Sequence, residues 1–148
     1  MNRIILAFAA ALCVSACATT RVNIPHDLSP AEIIQRAQEA SDRNRYNVAL
    51  QYYEALLARN MANLALVCTA EYEIAFIHYK QKKFGQARDG FNALLERYEA
   101  PGGEMLPQQF RVLAGIVLAR IDEHETPRLP FFRCRKRQEA VRQAEAEA

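Results

Sequence analysis

The sequence contains no tryptophan, and only five glycines and six prolines among 148 residues. That scarcity excludes a collagen-like chain, and four cysteines are too few for a disulfide-built miniprotein. An excess of one charge is also missing. Nineteen Lys and Arg face 17 Asp and Glu, for a formal charge of +2, so the chain as a whole has no electrostatic case for binding nucleic acid. No apolar run reaches the roughly 20 residues that a membrane-spanning helix needs. There is no His-Glu-x-x-His, no Gly-rich phosphate loop, no Gly-x-Ser-x-Gly and no paired Cys-x-x-Cys, so nothing argues for catalysis, a cofactor or a metal site. What is present is 51% hydrophobic and 24% charged. That composition folds around a core, and the length suits one domain.

The amino terminus reads as an address. Met1-Asn2-Arg3 is a short positive start, Ile4 to Val14 is apolar throughout, and Ser15-Ala16 are small residues before Cys17. This is the three-part layout of a secretory signal, expected over residues 1–16. Val14-Ser15-Ala16-Cys17 resembles the lipobox of bacterial lipoproteins. The resemblance implies that the Cys17 thiol takes a diacylglycerol, that the signal is cut before it, and that the new terminus is acylated with a fatty acid such as palmitate. One acyl chain holds weakly and two or more anchor stably, at about 0.8 kcal/mol per buried CH₂. In the enterobacterial form of the family an Asp after the Cys retains the protein at the inner membrane. Ala18 stands there, which implies the outer membrane, periplasmic side. The cut leaves 132 residues at charge +1 with Cys68 and Cys134, which either pair or remain free.

Residues 17–28 are expected to be the lipidated cysteine and a tether, because Thr19, Thr20, Arg21, Asn23 and Pro25 show no apolar period. Ser29-Pro30-Ala31-Glu32 is then a helix start, with Ser as N-cap, Pro at the first helical position and Glu three after the cap. Apolar spacing predicts helices near 30–43, 46–59, 63–81, 84–99 and 107–123, and no strand. Ala100-Pro101-Gly102-Gly103 breaks the chain before the fifth helix. Setting Ala37 on Ala75 superposes Tyr46 on Phe84, Ala49 on Ala87, Tyr53 on Phe91, Leu56 on Leu94 and Leu57 on Leu95. Six matches at a spacing of 38 predict two stacked helix pairs, with small residues admitting neighbouring helices and aromatics plugging the corners.

This pattern resembles the tetratricopeptide repeat. Ala37, Tyr46, Ala49 and Tyr53, and then Ala75, Phe84, Ala87 and Phe91, fit the family's small, aromatic, Ala, aromatic signature. Ile33 and Glu71 stand where the family has Trp, Met61 and Glu99 where it has Pro, and the period is longer than its usual 34. The expected fold is therefore all-α, with antiparallel helix pairs stacked as a short right-handed solenoid. It would span 29–125, with full repeats at 30–60 and 68–99 and a partial third around Phe110, Leu113, Ala114 and Val117. The segment 126–148 is either a capping helix or frayed. It carries Arg128, Arg133, Arg135, Lys136, Arg137 and Arg142 against Glu139, either a solvated face or a contact for anionic lipid or an acidic partner.

Tyr72, Phe76 and Tyr79, with Lys80 beside them, form a stripe on the third helix. The resemblance implies that this stripe lines the groove in which such domains grip a partner's helix or extended peptide, with Ile34, Gln38 and Ser41 matching it in the first repeat. Phe76 belongs either there or in the core against the fifth helix. His78 reads as a packing residue, and His124 in Asp122-Glu123-His124-Glu125 as a solvated helix end. Taken together, the chain is similar to the tetratricopeptide lipoproteins of the outer-membrane β-barrel assembly machinery. The function implied is a membrane-anchored scaffold that binds another cell-envelope protein. The alternatives are a self-associating structural lipoprotein and an adaptor or pilotin for a secretion or peptidoglycan system.

Overall fold

A computed structural model describes residues 21–125. The expected signal and lipobox, Cys134 and the basic segment 126–148 lie outside them. The described residues form five α-helices, α1 (Pro30–Asp42), α2 (Tyr46–Arg59), α3 (Leu64–Lys80), α4 (Phe84–Glu99) and α5 (Gln108–Glu125), with a 3₁₀ turn at Gly103–Met105 and no strand. The fold is all-helical. Each helix packs on the next, with α3 also meeting α5, an arrangement of stacked antiparallel pairs like that of helical repeats.

The start of α1 follows from its first four residues. The Glu32 backbone N–H donates to Ser29 Oγ, and the Ser29 backbone N–H donates to the Glu32 carboxylate at 2.9 Å, a reciprocal capping box with Pro30 in the first turn. α3 opens on Asn63, whose side chain accepts from the Leu66 N–H. The α1–α2 and α3–α4 connections turn through left-handed residues, Asn44 at φ 56° and Lys82 at φ 60°. The break after α4 uses Gly102 at φ 87°. Gly103 admits no side chain, because a Cβ there would run into the Tyr98 carbonyl. Tyr98 closes this corner by donating its hydroxyl to the Pro107 carbonyl at 2.7 Å.

Burial respects the 38-residue spacing. Ala37 and Ala75, Ala49 and Ala87, Tyr53 and Phe91, and Leu56 and Leu94 are all fully buried, whereas Tyr46 with Phe84 and Leu57 with Leu95 are half-buried. α3 is the central element because it is apolar on two sides. Ala70 and Ile77 join the α1–α2 core, and Cys68, Tyr72 and Ala75 join the core with α4 and α5. α4 approaches closely at Gly90, where a Cβ would stand 2.9 Å from that of Ala75. Glu71 is held by Arg97 through two bonds of 2.7 Å. Cys68 is a buried free thiol.

Residues 21–28, expected to be tether, lie against the first helix pair. Val22, Ile24 and Leu28 cover its core, the Val22 N–H donates to Gln51 Oε1 at 2.8 Å, and Arg59 donates to the carbonyls of Pro25 and Ile24 at 2.9 and 3.0 Å. The reason is physical. Three apolar residues in this strap have no period of their own but find the open flank of α2, and a guanidinium satisfies the two carbonyls that result. Arg59 and Arg97 stand 38 positions apart, so the same site in each pair clips a different neighbour.

Candidate functional site

The first helices of successive pairs stand side by side on one face of the stack. Lys80 Nζ donates to Ser41 Oγ at 3.2 Å, joining α3 to α1, and the Tyr72 ring meets Phe110 at 5.4 Å, joining α3 to α5. Along this face the rings form a ladder. Tyr72 stacks on Phe76 at 5.8 Å, Phe76 on Tyr79 at 5.9 Å, Tyr79 tilts against Phe84 at 5.9 Å, and Phe84 stacks on His124 at 5.3 Å. These spacings suit offset aromatic contact. Lys80 lies 5.2 Å over the Phe76 ring, a cation–π contact that fixes its stem across the face.

The expected site residues divide between face and core. Gln38 and Lys80 are exposed, and Phe76, Tyr79 and Ile34 are half-buried. Tyr72 is only 7% exposed, and its ring also meets Phe91 at 5.6 Å. It is a core residue, because the side of α3 it occupies is covered by α4 and α5, and the accessible face begins at Phe76. Ser41 is buried under Lys80. Phe84, Phe110 and His124 join the rings of the stripe. Their spacing marks them as a corner plug, a repeat position and a solvated helix end, because no helical period links residues on different helices.

A polar cluster sits at the junction of α1, α2 and α3. Burial raises the Glu73 carboxyl above its ordinary 4.5, opposed by Lys80 and aided by Asp42. Tyr53 is fully buried and its hydroxyl has no partner; burial, Glu73 and Asp42 push its ionisation far up. The Glu73 effect has a sign that can be measured. A carboxyl whose folded pKa is raised costs stability when ionised, and the cost disappears as pH falls through that folded value. Glu73→Gln is expected to raise the melting temperature at neutral pH, with the gap to the parent closing on acidification and absent below pH 4.5. Melting curves of both proteins across pH check it; a gap that widened in acid would contradict it.

His78 is half-buried, with Nδ1 unpartnered; burial and Lys83 lower its pKa. Among the described residues no three His, Cys, Asp or Glu side chains group to hold a metal, and no helix is long and apolar enough to cross a membrane. A second surface lies at the opposite end from Lys80. There Met61 is 77% and Met105 86% exposed, beside Leu64 and clefts that flank the Arg97–Glu71 pair.

The chain is similar to an uncharacterized protein of Treponema pallidum (strain Nichols), 36% identical over 111 residues. The match takes in 74% of this chain and 44% of that protein, so the chain spans less than half of that relative's length. No family model matches the chain. No solved structure matches it.

Proposed function

We propose that the protein is a lipid-anchored scaffold on the periplasmic side of the outer membrane, built of tetratricopeptide-like helix pairs. On this reading it holds a helix or extended peptide of another cell-envelope protein along the α1–α3–α5 face. The supporting observation is the stacked, half-buried pair Phe76 and Tyr79 with Lys80 over the Phe76 ring, and Gln38 is exposed on the neighbouring α1. Rigid aromatic area next to adaptable polar groups suits a protein partner, because it buries much surface with few rotatable bonds. A part in outer-membrane protein assembly, or service as an adaptor or pilotin, belongs to the same proposal. One observation favours a second reading, self-association: Val112, Leu113 and Ile116 are exposed on α5.

A photo-crosslinking residue at Gln38, activated in intact cells, tests the reading. The expected product is one defined envelope protein joined at Gln38, lost when Tyr79→Ala is added and never formed from exposed Asn92 on α4. If the only product is a second copy of this chain, the scaffold reading fails and self-association replaces it.

A further inference from the structure

The carboxyl end of α5 lies at one end of the stack, beside the turns that join α1 to α2 and α3 to α4. Phe84 stacks on His124, Arg88 pairs with Asp122 at 2.8 Å and Glu125 at 2.6 Å, and Lys80 meets Ser41. These contacts place turns 43–45 and 81–83 and the carboxyl end of α5 together. Traced backwards from α1, the strap runs toward the same end. Its contacts move from Arg59 at Pro25 to Gln51 at Val22, a climb of about 12 Å toward the start of α2 at 1.5 Å per helical residue. Five residue steps then separate Val22 from Cys17, a reach of at most about 18 Å.

The charges of the connections divide by end. Turns 43–45 and 81–83 hold Arg43, Arg45, Lys82 and Lys83 and no carboxylate, whereas connections 60–63 and 100–107 hold Glu104 and no cation. Arg43, at the C-cap of α1, suits the helix dipole, but local structure does not ask for the other three. Lys82 occupies a left-handed position at φ 60° that suits Gly or Asn. Arg45 and Lys83 occupy N-caps without making a side-chain cap bond, where Ser, Thr, Asp or Asn would supply one. Of the carboxylates on the adjoining helix ends, Asp122 and Glu125 are held by Arg88 and Glu39 lies 4.0 Å from Arg43, while Asp42 and Glu123 add negative charge. The sequence beyond Glu125 adds six cations against one carboxylate over 128–142.

We propose that this end of the stack is the membrane-facing surface, with Arg43, Arg45, Lys82 and Lys83 seated on anionic phospholipid headgroups. The inference rests on the attachment at Cys17 proposed above: the anchor brings the end to the bilayer and the turn cations set its orientation. Each cation near an anionic surface strengthens contact about fivefold, so Arg45, Lys82 and Lys83 together contribute about a hundredfold beyond Arg43. The α1–α3–α5 face then stands along the membrane normal, and the Met61–Met105 end points away.

The test uses the full chain reconstituted into phosphatidylcholine vesicles with and without phosphatidylglycerol, with headgroup-labelled quencher lipid. A fluorophore is placed at Gln86, or in a second sample at Glu104. Strong quenching at Gln86 and weak quenching at Glu104 is expected with phosphatidylglycerol, and loss of that difference without it. The triple variant Arg45→Asn, Lys82→Gly, Lys83→Ser removes three charges by changes each suited to the local backbone, so its fold is retained. It is expected to float with the vesicles and lose the difference. Equal quenching at both ends, stronger quenching at Glu104, or a difference unchanged by lipid charge or by the triple variant overturns the proposal. Failure of the parent chain to float with any vesicles identifies the attachment reading as the one that failed, and overturns this inference with it.

Discussion

Phe91→Ala is expected to cost about 3–5 kcal/mol of stability, the loss typical of truncating a fully buried phenylalanine. The ring is completely enclosed between α3, α4 and α5, against Tyr72 and with Ala75, Leu94 and Ala114 in the same core. Alanine would leave a cavity that helices held at close approach cannot collapse into, since Gly90 already sets α4 against Ala75. A domain of this size has about 5–15 kcal/mol in total, so the variant should melt at least about 12 °C lower or fail to fold. Thermal denaturation followed by circular dichroism measures it. A fall below about 5 °C would mean that the second helix pair does not depend on this core.

Cys17→Ser is expected to move the protein wholly out of the membrane fraction and to abolish labelling by a palmitate analogue. The physical case rests on the nucleophile and on what else there is to hold the bilayer. On the proposed reading the Cys17 thiol accepts the lipid, and a serine hydroxyl ionises too weakly to stand in for it. Among the described residues no helix is long and apolar enough to span, and the turn cations supply only a reversible contact that salt screens. Two or more acyl chains are what make attachment stable. Fractionation after high-salt washing, beside the labelling, decides the matter. Persistent labelling of the serine variant would sink the lipoprotein reading, while labelling lost with retention unchanged would transfer the anchoring role to the uncut apolar segment.

The helices and their pairing were legible because both signals are local. A Ser-Pro-x-Glu start, apolar residues three and four apart, and a 38-residue recurrence of small and aromatic positions each depend on neighbours within one helix or one pair. The site was legible only in part. Phe76, Tyr79 and Lys80 share a face with Gln38, but Tyr72, one turn before Phe76, is core. A helix apolar on two sides has no period that says which stripe will be covered, and α3 is such a helix. The Tyr53 hydroxyl and Glu73 carry no motif at all. Their significance arises where α1, α2 and α3 meet.

By itself the sequence determined that the described residues are all-helical, the limits of their helices to within a residue or two, and the equivalence of the two pairs. Those properties follow from hydrogen bonding and side-chain spacing along a few turns of backbone. Tertiary structure decided that residues 21–28 pack as a strap, that Phe84 and His124 extend the aromatic ladder, and that the cationic turns gather at the end where α5 finishes. Each of these joins residues far apart in the chain through packing and charge, and spacing along a sequence carries no measure of that distance.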